Sequence, residues 1–290
     1  MKISTDFALL PINKPQGLTS TEVLNLLKGK FKLPKLGHTG TLDPFAEGLL
    51  IVLLGRATRL AEYYQKLPKT YIATALLGLE TDTYDITGKV VKEYKGNFPS
   101  QEELKEVLKT FEGEIEQLPP PFSAKKIKGK RAYELARKGL KVELKPIRVK
   151  ISDLELLEYK PPEFTIKATV SGGTYIRSLI KDIGEKLKTG ATTKSLIRTD
   201  IGSLTLERAV DLDKLLKSSN LEPYLLPPWV GLPFPHLEVE NKVAQRLKNG
   251  QIVEFPKPLR GETYLVFSNG RFVGIGKNFK GKLKPEKIFL

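Results

Sequence analysis

The chain has 290 residues, enough for about two domains, and its 48 basic against 33 acidic residues leave a net charge of +15. With a pI of about 9.6, that excess makes a polyanion, nucleic acid first, the expected partner class. Cysteine is absent and histidine occurs only as His38 and His236, which excludes disulfides, thiolate catalysis and histidine-based metal centres and suits a cytoplasmic protein.

The segment "INKPQGLTSTEVLNLLKGK" opens on a Pro-Gly turn; Thr19 and Glu22 then stand at capping-box spacing before Val23, Leu26 and Leu27, which read as one helical face. The segment "GHTGTLDPFAEGLL" follows, a glycine-rich loop running into "LLIVLL", which is too short for a typical buried helix and reads as a strand covered on both faces. "KTYIATALLGL" reads as a second strand. Ser100 and Glu103 repeat the capping pattern ahead of Leu104, Val107, Leu108 and Phe111. A basic excursion over about 118–145 includes a short helix closed by Gly139. Residues Phe164 to Val170 alternate apolar and polar as a half-wet strand does. The period then changes, and Ile176, Leu179, Ile180, Ile183 and Leu187 form a helical stripe.

Prolines 223, 227, 228, 233 and 235 surround Trp229 as a stiff connection, which places a domain boundary near Gly231. Residues 1–230 are expected to form one domain and 231–290 a small β module with one short helix. Within it, Asn269-Gly270 between apolar runs is a hairpin signal. No stretch approaches the roughly 18 apolar residues of a spanning helix, and nothing near Met1 reads as a signal peptide.

Among residues able to do chemistry, Asp43 is singled out by Pro44, which restricts the backbone before it, and by Gly37, Gly40 and Gly48, which permit tight turns around it. Spacing alone leaves a plain Asp-Pro turn open. A phosphate-binding loop is excluded, because "GHTGTL" lacks the Gly-Lys-Ser/Thr ending, and "DTYDITG" has the wrong spacing for a calcium loop.

Taken together, "INKPQGLTS", "GHTGTLDPFAEGLLIVLLGRATRL", "KTYIATALLGLETDTYDITG", "PPPFSAKKIKGKRAYELARKG" and "SGGTYIRSLIKDIGEKL" resemble, in order, five motifs of the TruB family of tRNA pseudouridine synthases, bacterial type. The tail from Gly231 resembles that family's small PUA-type RNA-binding domain. The resemblance implies an α+β fold with a mixed, largely antiparallel central sheet flanked by helices, an active cleft across its centre and the C-terminal β module. It implies cofactor-free isomerisation of the T-loop uridine at tRNA position 55, acting on bare tRNA without a guide RNA, as a monomer, with no membrane or metal.

By the same residue-to-residue match, Asp43 is the catalytic carboxylate, Arg177 its cationic partner, and Tyr71 the stacking face and hydroxyl beside the target. Asp43 acts as a nucleophile at C1′ or C6, or as a base giving a glycal; all three routes stay open. Tyr175 forms pocket wall, His38 enters the T-loop where the base was flipped out, and Asp85 contacts a neighbouring flipped base. Leu196 and Arg198 match an "LRR"-like segment in which Ile197 replaces the first arginine. Arg59, Lys125, Lys126, Lys128, Lys130 and Arg131 are expected to meet tRNA phosphates. Two other readings are weighed against this one. A guide-dependent synthase is disfavoured by the insertion, and a tRNA-binding chaperone with lost catalysis by the intact Asp43, Tyr71 and Arg177.

Overall fold

The computed structural model describes residues 4–33, 35–122, 126–127, 130–131, 144–255 and 258–290, the backbone alone at 126–127 and 130–131. The expected helix closed by Gly139 lies outside the described residues. Strands are β1 (Phe7–Lys14), β2 (Leu36–His38), β3 (Glu47–Gly55), β4 (Lys69–Leu77), β5 (Leu79–Thr81), β6 (Val90–Glu93), β7 (Gly113–Gln117), β8 (Lys126–Ile127) and β9 (Lys130–Arg131). They continue as β10 (Ile147–Lys160), β11 (Glu163–Val170), β12 (Ala191–Ile201), β13 (Leu204–Thr205), β14 (Val210–Asp211), β15 (His236–Glu238), β16 (Thr263–Ser268), β17 (Arg271–Phe279) and β18 (Lys282–Ile288).

The apolar run "LLIVLL" becomes β3, and its period of 2 divides it between two cores. Leu50, Val52 and Leu54 enter a core shared with the helices Ser20–Phe31, Gln101–Lys109 and Ile176–Lys186. Leu49, Ile51 and Leu53 enter a second one with Tyr63, Tyr64 and the C-terminal residues Leu265, Phe267 and Phe272. A strand so covered needs no polar face, which is why its sequence does not alternate.

The large sheet runs β14-β1-β3-β12-β4-β11-β10-β7, with β2 on β3 and β13 on β12. Pairing is parallel for β1 with β14 and β3 with β12, and antiparallel for the other pairs. The β3–β12 seam is short, matching only Glu47 with Ile197 and Gly48 with Arg198. Gly48 sits there at φ 105°, where an added Cβ would lie 2.4 Å from the Arg198 carbonyl oxygen, so the close approach requires glycine.

Both expected capping boxes form, at Thr19/Glu22 and Ser100/Glu103. On the first helix Val23 and Leu27 are buried, and each contributes on the order of 2 kcal/mol. Leu26, read from the sequence as part of that face, is instead 42% exposed, because the covered stripe runs through Ser20, Val23, Leu24, Leu27 and Phe31. The C-terminal sheet runs β15-β16-β17-β18, and its β16–β17 hairpin turns at Asn269 and Gly270 with φ of 50° and 67°, the left-handed pair that such a turn demands. Trp229 stacks on Phe272 at 4.5 Å between centroids and meets Phe267 edge-on, so the proline-rich stretch is glued to this sheet. Among the described residues no helix is long and apolar enough to cross a membrane.

Candidate active site

Asp43 lies in the loop between β2 and β3, and that loop is tied down on several sides. Ser20, the first residue of its helix, accepts from the Leu42 N–H (2.9 Å) and donates to the Leu42 carbonyl (3.3 Å) through one buried hydroxyl. The Pro44 carbonyl accepts from Gly17 N–H at 2.7 Å. Arg198, fully buried, donates from Nε to the Leu49 carbonyl and from Nη2 to the Gly40 carbonyl. Restraint on both neighbours of Asp43 fixes where its carboxylate points.

Arg177 is the second residue of the helix Ile176–Lys186, and its side chain is 5% exposed. Its Nε donates to Asp43 Oδ2 at 2.8 Å, Nη1 to the Thr83 carbonyl at 2.7 Å, and Nη2 to the Phe122 carbonyl at 3.0 Å. Nη1 also lies 3.4 Å from Asp85 Oδ2. The guanidinium is thus a bridge between two carboxylates, and each of its three nitrogens has an acceptor. Such satisfaction is what lets a desolvated charge persist.

A cavity of about 290 Å³ opens against this pair. Its lining includes the Thr39–Asp43 loop, Gln65, Lys69 and Tyr71 of β4, the Gly173–Arg177 turn, and Leu196 and Arg198 of β12. Tyr71 pairs across strands with both Ala168 and Arg198, at the middle of the sheet. One carboxylate, Asp43, therefore faces a wall carrying Lys69, Arg177 and Arg198. Burial pushes the Lys69 ammonium down to about 8, with Arg198 adding to the effect; its Nζ donates to the carbonyls of Tyr64, Gln65 and Leu67. Lys14 is pushed down to about 8 by burial as well, opposed by the Asp43 charge, and donates to the Pro15 and Leu18 carbonyls.

The structure thus brings Asp43, Tyr71, Tyr175, Arg177, Leu196 and Arg198 to one cavity. Asp85, for which the resemblance implies contact with a neighbouring flipped base, lies beside Arg177. Asp85 is 4% exposed, and its Oδ1 accepts from the Thr83 and Thr87 hydroxyls and the Thr87 N–H, so it lies behind Arg177 and orients it. Arg198 likewise spends its side chain on backbone carbonyls. His38 is half-buried on β2, its Nδ1 accepting from Gly40 N–H at 3.4 Å; it leads into the Asp43 loop without lining the cavity. Arg59 stands elsewhere, donating to the Ile288 carbonyl at 2.8 Å and lying 4.8 Å over the Phe289 ring, which joins it to the C-terminal sheet. Lys125 and Lys128 lie outside the described residues, as do the side chains of Lys126, Lys130 and Arg131.

Sequence reasoning missed Lys69, Ser20 and Gln117. For Lys69 a signal existed: two residues before Tyr71 on an alternating strand it must share Tyr71's buried face. Ser20 and Gln117 act on backbone groups remote in sequence, and no local pattern reports that. Among the described residues no three His, Asp or Glu side chains converge to hold a metal ion.

Residues 28–176 match the family model described as TruB family pseudouridylate synthase, N terminal domain, and residues 235–289 match Pseudouridine synthase II TruB, C-terminal. Among similar proteins, tRNA pseudouridine synthase B of Aquifex aeolicus is 46% identical over 98% of this chain and 100% of its own length. The protein of that name from Clostridium kluyveri is 38% identical over 97% of this chain and 99% of its own. Among solved structures, a chain of a Cbf5-Nop10-Gar1 complex is 26% identical with a TM-score of 0.77, covering 99% of this chain and 86% of that one.

Proposed function

The chain belongs to the TruB family of pseudouridylate synthases, and from that premise we propose that it isomerises the T-loop uridine at position 55 of tRNA to pseudouridine. The observation that carries this reading is the Asp43–Arg177 ion pair at the wall of a cavity that also holds Tyr71. In the reaction the N1–C1′ bond breaks, the uracil turns, a C5–C1′ bond forms, and the proton lost from C5 is balanced by one gained at N1. No electron pair enters or leaves the substrate, so the residues present suffice.

Asp43 supplies the ionised oxygen, as nucleophile or base, and Arg177 holds that oxygen in line. Asp85 fixes the far side of Arg177. Tyr71 and Leu196 offer the flipped uracil a face to lie on, and Tyr175 closes the wall. His38, on the strand entering the Asp43 loop, fills the space the uridine leaves in the T-loop. Arg59, Lys125, Lys128, Lys130 and Arg131 neutralise phosphates. The enzyme acts as a single chain, in the cytoplasm, on tRNA alone.

The test is Asp43→Asn, with tritium release from C5-labelled tRNA transcript measured beside tRNA binding and with no other protein present. Wild-type release from bare transcript, lost turnover in the variant and retained binding are expected. Normal turnover in the variant removes Asp43 from the chemistry, and a requirement for added guide RNA or partner protein overturns the stand-alone reading.

A further inference from the structure

We propose that Gln117 is a positioning residue for the Arg177–Asp43 pair, acting through the backbone of Tyr175; this rests on the pseudouridine synthase reading above. Gln117 ends β7 and is fully buried. Its Nε2 donates to the Tyr175 carbonyl at 3.0 Å, and its Oε1 accepts from the Tyr175 N–H at 2.8 Å. One side-chain amide therefore takes both polar groups of a single residue, as a neighbouring strand would.

The need for such a grip is local. The helix bearing Arg177 begins after Tyr175, whose side chain makes no capping hydrogen bond, so its first turn is the least self-supported. Upstream stand Gly172 and Gly173, the latter at φ 92°, and glycines do little to restrict the backbone they join. Arg177, in that first turn, must nevertheless aim a buried guanidinium at Asp43 Oδ2, 2.8 Å away, where functional geometry tolerates an error of about 0.5 Å. The Ser171–Thr174 turn is closed by Thr174 donating to the Ser171 carbonyl, and Gln117 adds the restraint at Tyr175 itself, from outside the helix.

The same strip of chain makes two further contacts. The Leu118 carbonyl accepts from the Ser178 hydroxyl at 2.7 Å, and the Phe122 carbonyl from Arg177 Nη2. Residues 117–122, which lead into the basic insertion, are therefore bonded to the start of the Arg177 helix at 175, 177 and 178. Gln117 is not itself among the residues that line the cavity and meets that lining through the Tyr175 backbone, so any effect of it on the chemistry must pass through Tyr175 and Arg177.

The experiment compares wild type, Gln117→Met, Gln117→Glu and Arg177→Lys, with Gln117→Met combined with Arg177→Lys. Single-turnover tritium release is read at a temperature well below every variant's melting point, with tRNA affinity in parallel. Expected are a 10- to 100-fold slower step for Gln117→Met with tRNA affinity within threefold, and an intermediate loss for Gln117→Glu, which keeps the acceptor but not the donor. Because both changes act on one guanidinium, the double variant should be no more than threefold slower than Arg177→Lys alone. A purely structural Gln117 would lower the melting point and leave the single-turnover rate unchanged. That result in either folded Gln117 variant overturns the inference, as does a double variant whose losses multiply. A wild-type enzyme inert on tRNA would instead sink the function on which the inference rests.

Discussion

Arg177→Lys keeps the positive charge and removes the fork. In the wild-type site three nitrogens face acceptors in different directions, namely Asp43 Oδ2, the Thr83 carbonyl beside Asp85, and the Phe122 carbonyl. A single ammonium on a flexible stem reaches one or two of these at once. Each charge-assisted bond contributes about 1.5–3 kcal/mol, and the loss that matters for turnover is the one restraining Asp43. Taking about 3–4 kcal/mol for misdirecting the carboxylate, the single-turnover step should slow by roughly 100- to 1,000-fold. Arg177→Met should do worse, because it leaves the buried Asp85 and the partly exposed Asp43 without a cation between them; breaking a buried pair this way costs about 3–5 kcal/mol of stability. Tritium release under single-turnover conditions, tRNA binding and urea unfolding measured together separate the two effects. A folded Arg177→Lys enzyme within threefold of the wild-type rate would show that Asp43 does not depend on the guanidinium.

Gly48→Ala should destabilise the chain by about 3 kcal/mol or more in urea unfolding, since the new methyl meets the Arg198 backbone at a left-handed φ; an unchanged midpoint would contradict the β3–β12 seam. For Lys69, burial lowers the folded value to about 8 from 10.5, so between these limits the unfolded chain holds more protons and stability must rise with pH. That contribution is fully present above 10.5 and lost as pH falls through about 8; from pH 8 to 10 it amounts to about 2 kcal/mol. Lys69→Met should flatten that rise, and an identical slope in both proteins would refute the assignment. Finally, if about five basic side chains meet phosphates, log affinity for tRNA should fall with log salt at a slope of roughly −3.5, while a slope near zero would exclude the basic patch.

Much of the scaffold was legible because its causes are local. Thr19 with Glu22, Ser100 with Glu103 and Asn269-Gly270 each carry their hydrogen bonds or dihedral demands within a few residues, so the elements they start or turn could be placed. The uninterrupted apolar run of β3 announced two covered faces. β12 escaped notice although it lies at the centre of the sheet. Register shifts between Thr193 and Ser195 and between Arg198 and Asp200 break its alternation, and its charged Arg198 is hidden only because carbonyls from two other segments wait for it. A strand whose buried positions are decided by its neighbours leaves no clean period in its own sequence.

For the site itself, the family motifs named Asp43, Tyr71 and Arg177, and the Asp-Pro step marked Asp43 as a residue with a fixed backbone. Their distances were another matter. Asp43 and Arg177 are 134 residues apart in sequence and meet only because β3, β12 and β4 bring their loops together. The same closure turned Asp85 inward against Arg177, carried Arg59 to the C-terminal sheet, and set Gln117 and Ser20 on the backbone beside the two paired residues. Sequence determines what a segment can do with its near neighbours, through periodicity, caps and turns. Which remote carbonyl or carboxylate a buried side chain finally satisfies is decided by strand register, a property of the whole fold.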